Sequence, residues 1–577
     1  MTTRPKSACD KQWVLREAAP PEIAAHLGGS HVMATLLHHR GFADPATVTD
    51  FLEADYRSGL HDPFSMRGMT EASNRIVRAI AEGEPMAVYG DFDTDGVTAV
   101  TLLMQAITAM GGTIRPYIPH RVREGYGLND EAVEQLAAEG VRLLITVDCG
   151  ISNVTEAARA RALGLDVIVT DHHHPPATLP QALAVVNPKQ PGCPYPYKQL
   201  VGVGIAYKLV QALVRQGMRL NGLRGRDLLD VVALGTVTDM GPLDGENRVL
   251  VKQGLEAIHA TERPGLKALI AAAGLHREKV DSLAIGFMLG PRINAAGRLD
   301  DAVRAYHLLL AEDFATAQRL AQELNQANRR RQELTKQVQA AAQSYAESNG
   351  IHQQRIVVID GEDYPSGVVG LVAGKLVEQW ARPVLLIERG EEVSRGSARS
   401  VRGFNIIDAL TTCKDLFVRF GGHSMAAGFT IANELLPELN TRLQMLAAEQ
   451  LHDELLTPTL EIDAEIAMRE VTWDLYNELS QLEPFGQGNP QPVLMCRGVQ
   501  VTGAWARGNE GQHLKLRLAQ NGGRPIDAFA FRLGHLADAL NKYPDIDVAF
   551  TLERNEWNNQ VSLRLLVKDF RRASREP

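Results

Sequence analysis

From about residue 76 the chain alternates short apolar runs with longer stretches of helical spacing. MAVYGD (86–91) reads as a strand, and VTAVTLLMQAITAMGG (97–112) as a helix stopped by two glycines. RLLITVDCG (142–150) and LDVIVTDHH (165–173) are further strands, separated by the helical NVTEAARARALG (153–164). Strands that are apolar throughout, joined by helices, imply a parallel sheet covered on both faces. Such sheets bind ligands beyond the carboxyl ends of their strands. Each of these three strands ends there in an acidic residue, and the third adds histidines.

Residues 312–347 contain neither Gly nor Pro. They predict one unbroken helix of ~50 Å, at ~1.5 Å per residue, linking two domains. Its Arg329-Arg330-Arg331 run fits a solvated face or a phosphate contact. A second α/β unit follows from about 350 to 452, with RIVVID (355–360), GVVGLVAGKLVEQW (367–380), PVLLIE (383–388) and the glycine-rich SRGSARS (394–400) and GGHSMAAG (421–428). Beyond 453 the short runs KLRL (515–518), PIDAFAF (525–531), DVAFTL (547–552) and QVSLRLLV (560–567) predict a small barrel. A two-residue period puts Phe529 and Phe531 on one face. With Trp505, Trp557 and nearby arginines they are either core or stacking platforms for bases. Residues 1–75 read as short helices and turns without chemistry.

With 577 residues, the chain is too long for one core. Its 45% hydrophobic and 22% charged content is that of a folded soluble protein. No apolar run reaches the ~18 residues a membrane helix needs. MTTRPKSACDKQW has no apolar stretch after its basic residues, so no secretion signal is expected. Five scattered cysteines, never in a CxxC pair, argue against a disulfide framework and for a reducing cytoplasm. Net charge is −9, yet residues 493–577 carry 13 Lys/Arg against 9 Asp/Glu. A basic end on an acidic chain suggests a module with its own partner.

YGDFDTDG (89–96) sets Asp91, Asp93 and Asp95 at alternate positions. If the segment is extended, all three face one side and repel unless a cation neutralises them. Oxygen-rich sites with some imidazole suit Mn²⁺ or Mg²⁺. An EF-hand starting at Asp91 would place Leu102 where a bidentate acid is required. Asp148 ends the second strand, and Asp239 ends the apolar VVALGTVTD (231–239). GVGIAY (202–207) lacks the third glycine of a dinucleotide site, and Gly374-Lys375 has no P-loop around it. Neither HExxH nor GxSxG occurs.

GDFDTDG, TVDCG, TDHH, ALGTVTD, GPRINAAGRLDD (290–301), GGHSMAAG and FGQGNP (485–490), in this order, resemble the DHH phosphoesterase superfamily. Along nearly the whole chain they resemble its single-stranded-DNA exonucleases. The resemblance implies an α/β multidomain protein. It would have an N-terminal helical region (1–75), a parallel-sheet DHH domain (76–311), a connecting helix (312–347), a DHH-associated α/β domain (348–452) and an OB-type β-barrel (453–577). It also implies metal-dependent 5′→3′ hydrolysis of single-stranded DNA to mononucleotides, in repair and recombination. By resemblance, Asp91 and Asp93 hold one of two Mn²⁺ or Mg²⁺ ions, Asp95, His172 and Asp239 the other, and Asp148 bridges. The resemblance also implies that His173 contacts the scissile phosphate; neighbouring extended residues face opposite ways, so His172 and His173 are not expected to share one job. Asp171 would be a ligand or a partner of a histidine, and His174 has no role. Arg121, Tyr126, Arg292, Arg298, Ser397, Arg399 and His423 would contact substrate. The implied enzyme is a cytoplasmic monomer, with no membrane and with a helicase and a single-strand-binding protein as partners. Two alternatives remain from the sequence: a DHH phosphodiesterase of short oligonucleotides or small phosphoesters, and a non-catalytic replication scaffold. The extra barrel and the filled ligand positions weigh against them.

Overall fold

The computed structural model describes residues 7–121, 123–557 and 560–573, with the side chain of Trp557 outside that description. The chain forms two units. One comprises Thr49–Arg331 with Leu482–Pro490, and the other Met1–Val48, Gln332–Gln481 and Gln491–Pro577.

In the first unit five parallel strands carry the site. They are β1 (Met86–Tyr89), β2 (Ile114–Tyr117), β3 (Leu143–Val147), β4 (Asp166–Thr170) and β5 (Ala184–Val186), in the order β2-β1-β3-β4-β5. Every residue of β1 and β3 is buried, because helices cover both faces. Helix α1 (Thr94–Ala109) leaves β1 directly. Strand order reverses at β1, with β2 on one side and β3 on the other. That switch point opens a crevice beyond the strand ends, the usual ligand position in this architecture. Helices α2 (Gly202–Arg215) and α3 (Leu229–Thr238) pack against α1. The apolar run before Asp239 is therefore a helix. Apolar on all sides, it could not be told from a strand by periodicity.

Helix α4 (Gly290–Leu299) holds most of GPRINAAGRLDD, and α5 is the unbroken helix Phe314–Ser348. FGQGNP, adjacent in sequence to the barrel, folds with residues 49–331. The buried Arg248 guanidinium donates to the carbonyls of Leu482 and Glu483 at 2.8 and 2.7 Å, and Ser282 donates to Phe485 O at 2.6 Å.

The second unit contains a mixed sheet of β6 (Val357–Gly361), β7 (Val384–Glu388), β8 (Val393–Arg399), β9 (Phe417–His423) and β10 (Ala426–Ala432), ordered β9-β10-β8-β7-β6. Helix α6 (Ser366–Trp380) lies against β7 and β8. The barrel strands are β11 (Leu494–Arg507), β12 (His513–Ala519), β13 (Ile526–Ala530), β14 (Asp545–Trp557) and β15 (Gln560–Arg572). Pairing runs β11-β12-β13-β15-β14 and returns to β11, which closes the barrel as expected for an OB fold. Leu514, Leu516 and Leu518 alternate inward along β12. The N-terminal segment contributes helices and also a strand, Gln12–Leu15, paired in parallel with Thr459–Ile462. Among the described residues no helix is long and apolar enough to cross a membrane.

Candidate metal centre

The acidic residues gather beyond β1, β3 and β4. Asp93 is not part of an extended Asp91–Asp95 alternation. It is the N-cap of α1, and its Oδ1 accepts from the Asp95 and Gly96 amides at 2.9 and 3.1 Å. Such a cap stabilises a helix by about 1 kcal/mol. Asp95 therefore lies in the first turn of α1, where the α2 N-terminus grips it. Oδ2 accepts from Gly202 N at 2.6 Å and Oδ1 from Val203 N at 2.9 Å. The fit requires glycine at 202, because a Cβ there would lie 2.5 Å from Asp148 Cβ and 2.8 Å from Asp95 Oδ2.

Asp148 follows β3 with φ of 60°, a left-handed conformation costing a non-glycine residue about 1–3 kcal/mol. Asp239 caps the C-terminal end of α3. His172 Nε2 stands 3.0 Å from Asp148 Oδ1, 3.6 Å from Asp239 Oδ2 and 3.9 Å from Asp95 Oδ2. Ligand atoms of Asp91, Asp93 and Asp148 lie within 4.8 Å of one another, as do those of Asp95, His172 and Asp239. A third such group, Asp148, His172 and His173, overlaps the other two.

His172 and His173 do not face opposite ways. Their ring centroids are 4.3 Å apart, because the chain has left the β4 ladder and bends at His173. Asp171 arranges both. Its Oδ1 accepts from the His172 and His173 amides and lies 2.8 Å from His173 Nδ1, while Oδ2 accepts from Ile151 N. Fully engaged and buried, Asp171 supports the histidines instead of pointing at the acidic group. Burial alone would raise the Asp171 pKa, but the His173 hydrogen bond and charge hold it below the usual carboxylate range.

The other carboxylates go the opposite way. Burial, with Asp93 beside them, pushes Asp91 well above the ordinary range and Asp95 up to about 7. Burial and the nearby Asp95 raise Asp148 and Asp239 well above it. Protonation or a cation must relieve this crowding. Asp91 Oδ1 is buried and accepts no hydrogen bond among the described residues, and buried Asp148 Oδ1 faces His172 Nε2 at 3.0 Å without hydrogen-bond geometry. Buried oxygens left unsatisfied are costly, and hard divalent cations with oxygen ligands would satisfy them. The donor set thus fits Mn²⁺ or Mg²⁺.

Around this group, Arg121 lies 4.8 Å over the Phe92 ring, with Asp91 and Asp93 close enough to oppose the drop in its pKa caused by burial. Tyr126 is exposed, and its hydroxyl is 3.2 Å from both Asp148 O and His173 Nδ1. Arg292 on α4 donates to Met288 O and Asn325 Oδ1, and Arg329 acts on it as a like charge. Arg329 and Arg330 are exposed, as expected of a solvated face, and Arg331 is half-buried, where burial and Arg292 lower its pKa. Arg298 is half-buried near the end of the same helix.

Ser397, Arg399 and His423 belong to the other unit. Arg399 Nη1 donates to Ser397 Oγ at 2.9 Å from the same face of β8. Arg399 and His423 both pair with Ala426, so they occupy one cross-strand row. On the barrel, Trp505, Lys515 and Phe529 form another such row. Phe529 and Phe531 do share a face, with centroids 5.0 Å apart and His513 within 6 Å of both. Trp505 and Phe531 are exposed, and Phe529 is half-buried, so this group is not core. The Trp557 side chain, expected among them, lies outside the described residues.

Family models match three segments: the DHH family N-terminal domain over residues 85–236, the DHHA1 domain over 352–449 and the RecJ OB domain over 462–569. The single-stranded-DNA-specific exonuclease RecJ of Bacillus subtilis is 39% identical over 570 residues, spanning 97% of this chain and 71% of that protein. The crystal structure of Thermus thermophilus RecJ in complex with Mn²⁺ superposes with a TM-score of 0.82 at 31% identity, covering 98% of this chain and 80% of that one. Its Mg²⁺ complex gives 0.75 at 30% identity, with 98% and 79% covered.

Proposed function

The chain belongs to the RecJ family, and from that premise we propose that it is a divalent-metal-dependent exonuclease that hydrolyses single-stranded DNA from the 5′ end to mononucleotides, in DNA repair and recombination. The observation that carries this reading is the convergence of two three-ligand groups, Asp91/Asp93/Asp148 and Asp95/His172/Asp239, at the switch point of a parallel sheet.

Asp91 and Asp93 would hold one Mn²⁺ or Mg²⁺, Asp95, His172 and Asp239 would hold the second, and Asp148 would contribute to both groups. Such ions, when bound, acidify water and compensate charge on the attacking and leaving oxygens of an in-line displacement at phosphorus. The chain's own groups set the geometry. The α2 amides fix Asp95, the N-cap role fixes Asp93, and Asp171 orients His172 and His173. Burial alone would lower the His173 pKa, but the Asp171 carboxylate reverses this and raises it. Held by this contact, His173 is the residue assigned to the scissile phosphate. Attack by water forms one P–O bond as one P–O ester bond breaks, the water's proton passes to the departing oxygen, and a nucleotide is released with no covalent enzyme intermediate.

Arg121, Arg292 and Arg298 hold backbone phosphates, and Tyr126 stacks on a base. Ser397 and Arg399 receive the 5′-phosphate, a role their 2.9 Å contact supports by presetting the guanidinium, and His423 contacts substrate. We read residues 1–75, 76–311, 312–347, 348–452 and 453–577 as the working divisions of the chain, except that residues 49–75 and 482–490 group with 76–331, with the barrel gripping the strand. A monomer acting in the cytoplasm beside a helicase and a single-strand-binding protein completes the reading. Five unpaired cysteines agree with a reducing compartment.

The test is digestion of 5′- and 3′-labelled single strands with Mn²⁺ or Mg²⁺, and duplex as control. A 5′-labelled strand should lose its label first, as a mononucleotide. Release from the 3′ end, equal attack on duplex, or undiminished activity in chelator would overturn the proposal.

A further inference from the structure

Helix α4 carries Arg292 and Arg298, yet its tightest contacts are with the metal-binding loops. A Cβ at Gly297 would lie 2.3 Å from Phe92 O, between Asp91 and Asp93. A Cβ at Gly290 would lie 2.5 Å from Thr238 Oγ1, immediately before Asp239. Between these two contacts, Asn294 Oδ1 accepts from Thr94 N at 2.8 Å and lies 2.9 Å from Thr94 Oγ1. Thr94 is the residue between Asp93 and Asp95. Because an amide N–H can only donate, the Asn294 atom facing it must be the oxygen. The Thr94 amide is also one of the first-turn donors of α1 that no intrahelical carbonyl can satisfy. Asp93 already takes the two amides that follow.

We propose that Asn294 is a positioning residue. From the arginine-bearing helix it takes the Thr94 amide and hydroxyl, and so fixes the turn that aims Asp93 and Asp95 into the metal centre. The inference deepens the reading above and rests on its metal ligands, not on its substrate. Partners of this kind beyond the ligands typically change metal affinity or activity by about 10–100-fold. Without Asn294, the buried Thr94 amide loses its acceptor and the hydroxyl keeps only the longer contact to Gly290 O at 3.4 Å, so the Asp93–Asp95 turn gains freedom that metal binding must then remove.

The experiment is Mn²⁺ titration by calorimetry on the metal-free protein, for the native chain, Asn294→Ala, Thr94→Val and the double variant. Asn294→Ala should weaken Mn²⁺ binding about 10-fold or more, with the metal-free unfolding midpoint near native. Thr94→Val removes only the hydroxyl half of the contact, so its effect should be smaller, and the double variant should be no worse than Asn294→Ala alone. In strand digestion at saturating Mn²⁺, kcat should fall while KM for DNA holds. Arg292→Ala, on the same helix, should do the reverse, raising KM with native Mn²⁺ affinity. Native Mn²⁺ affinity in Asn294→Ala, or additive effects in the double variant, would overturn the assignment. A native protein that binds Mn²⁺ but digests no DNA would end the nuclease reading and leave this one standing.

Discussion

The acidic group beyond β1 and β3 and the aromatic face of the barrel are built on opposite physical plans. The first is buried: Asp91, Asp95 and Asp148 are each at most 5% exposed, and backbone amides fix two of the acids. Its charges oppose one another, so it is unstable by itself and complete only with a cation. The second is open, with Trp505 at 38% and Phe531 at 59% exposure. Its cations and rings are mutually compatible, as where Arg564 lies 5.5 Å over Phe529. A buried site of repelling charges concentrates function in each ligand, whereas an exposed stacking face spreads it over several residues. The two should therefore fail differently.

The largest contrast is expected from Asp93→Ala. Loss of a ligand and of the α1 cap should abolish hydrolysis, by more than ~10³-fold, while strand affinity measured without turnover stays within a few-fold. Residual turnover near native would dissolve the distinction between the regions. Asp171→Asn should come next, lowering kcat about 10–100-fold because the histidines lose their orienting anion. Barrel substitutions should give smaller effects in the other parameter. Trp505→Ala or Phe529→Ala should weaken binding by roughly 1 kcal/mol, about fivefold, the lower end for base stacking, with kcat at saturating DNA unchanged. Loss of kcat there would mean that the face does more than grip.

The subtlest test is the pH dependence of stability. The folded pKa values of Asp91, Asp95, Asp148 and Asp239 are raised above those of unfolded carboxylates. Between the two values the folded state binds more protons, so stability falls as pH rises. Metal-free protein should thus lose stability from about pH 4 through about 7, and saturating Mn²⁺ should flatten that slope. A metal-free protein equally stable across the window would mean that the carboxylates do not crowd one another as described.

Much of this was legible in the chain. Apolar runs ending in Asp91, Asp148 and Asp171 marked the parallel sheet and the end at which ligands bind, and the glycine-free stretch near 312–347 marked helix α5. The same residue types grouped in space as the motif order implied. What local period could not supply were orientations after a strand ends. The two-residue alternation governs only extended backbone, so it failed at Asp95, which had entered a helix, and at His172 and His173, where the chain bends. Asn294 and Thr94 lie in two of the quoted motifs, but nothing in the sequence pairs them, because two hundred residues separate partners that meet through one carboxamide.

By itself the sequence determined the first three strands of the parallel sheet, the helices between them and which ends carry carboxylates, because hydrophobic burial and helix capping act over a few residues. Only the tertiary structure decided which oxygens crowd together, that the Asp171 carboxylate is taken up by three amides and His173, and that FGQGNP folds with residues 49–331 and not with the barrel beside it in sequence. Those outcomes depend on backbone from distant segments approaching within hydrogen-bond distance, and no local pattern encodes that approach.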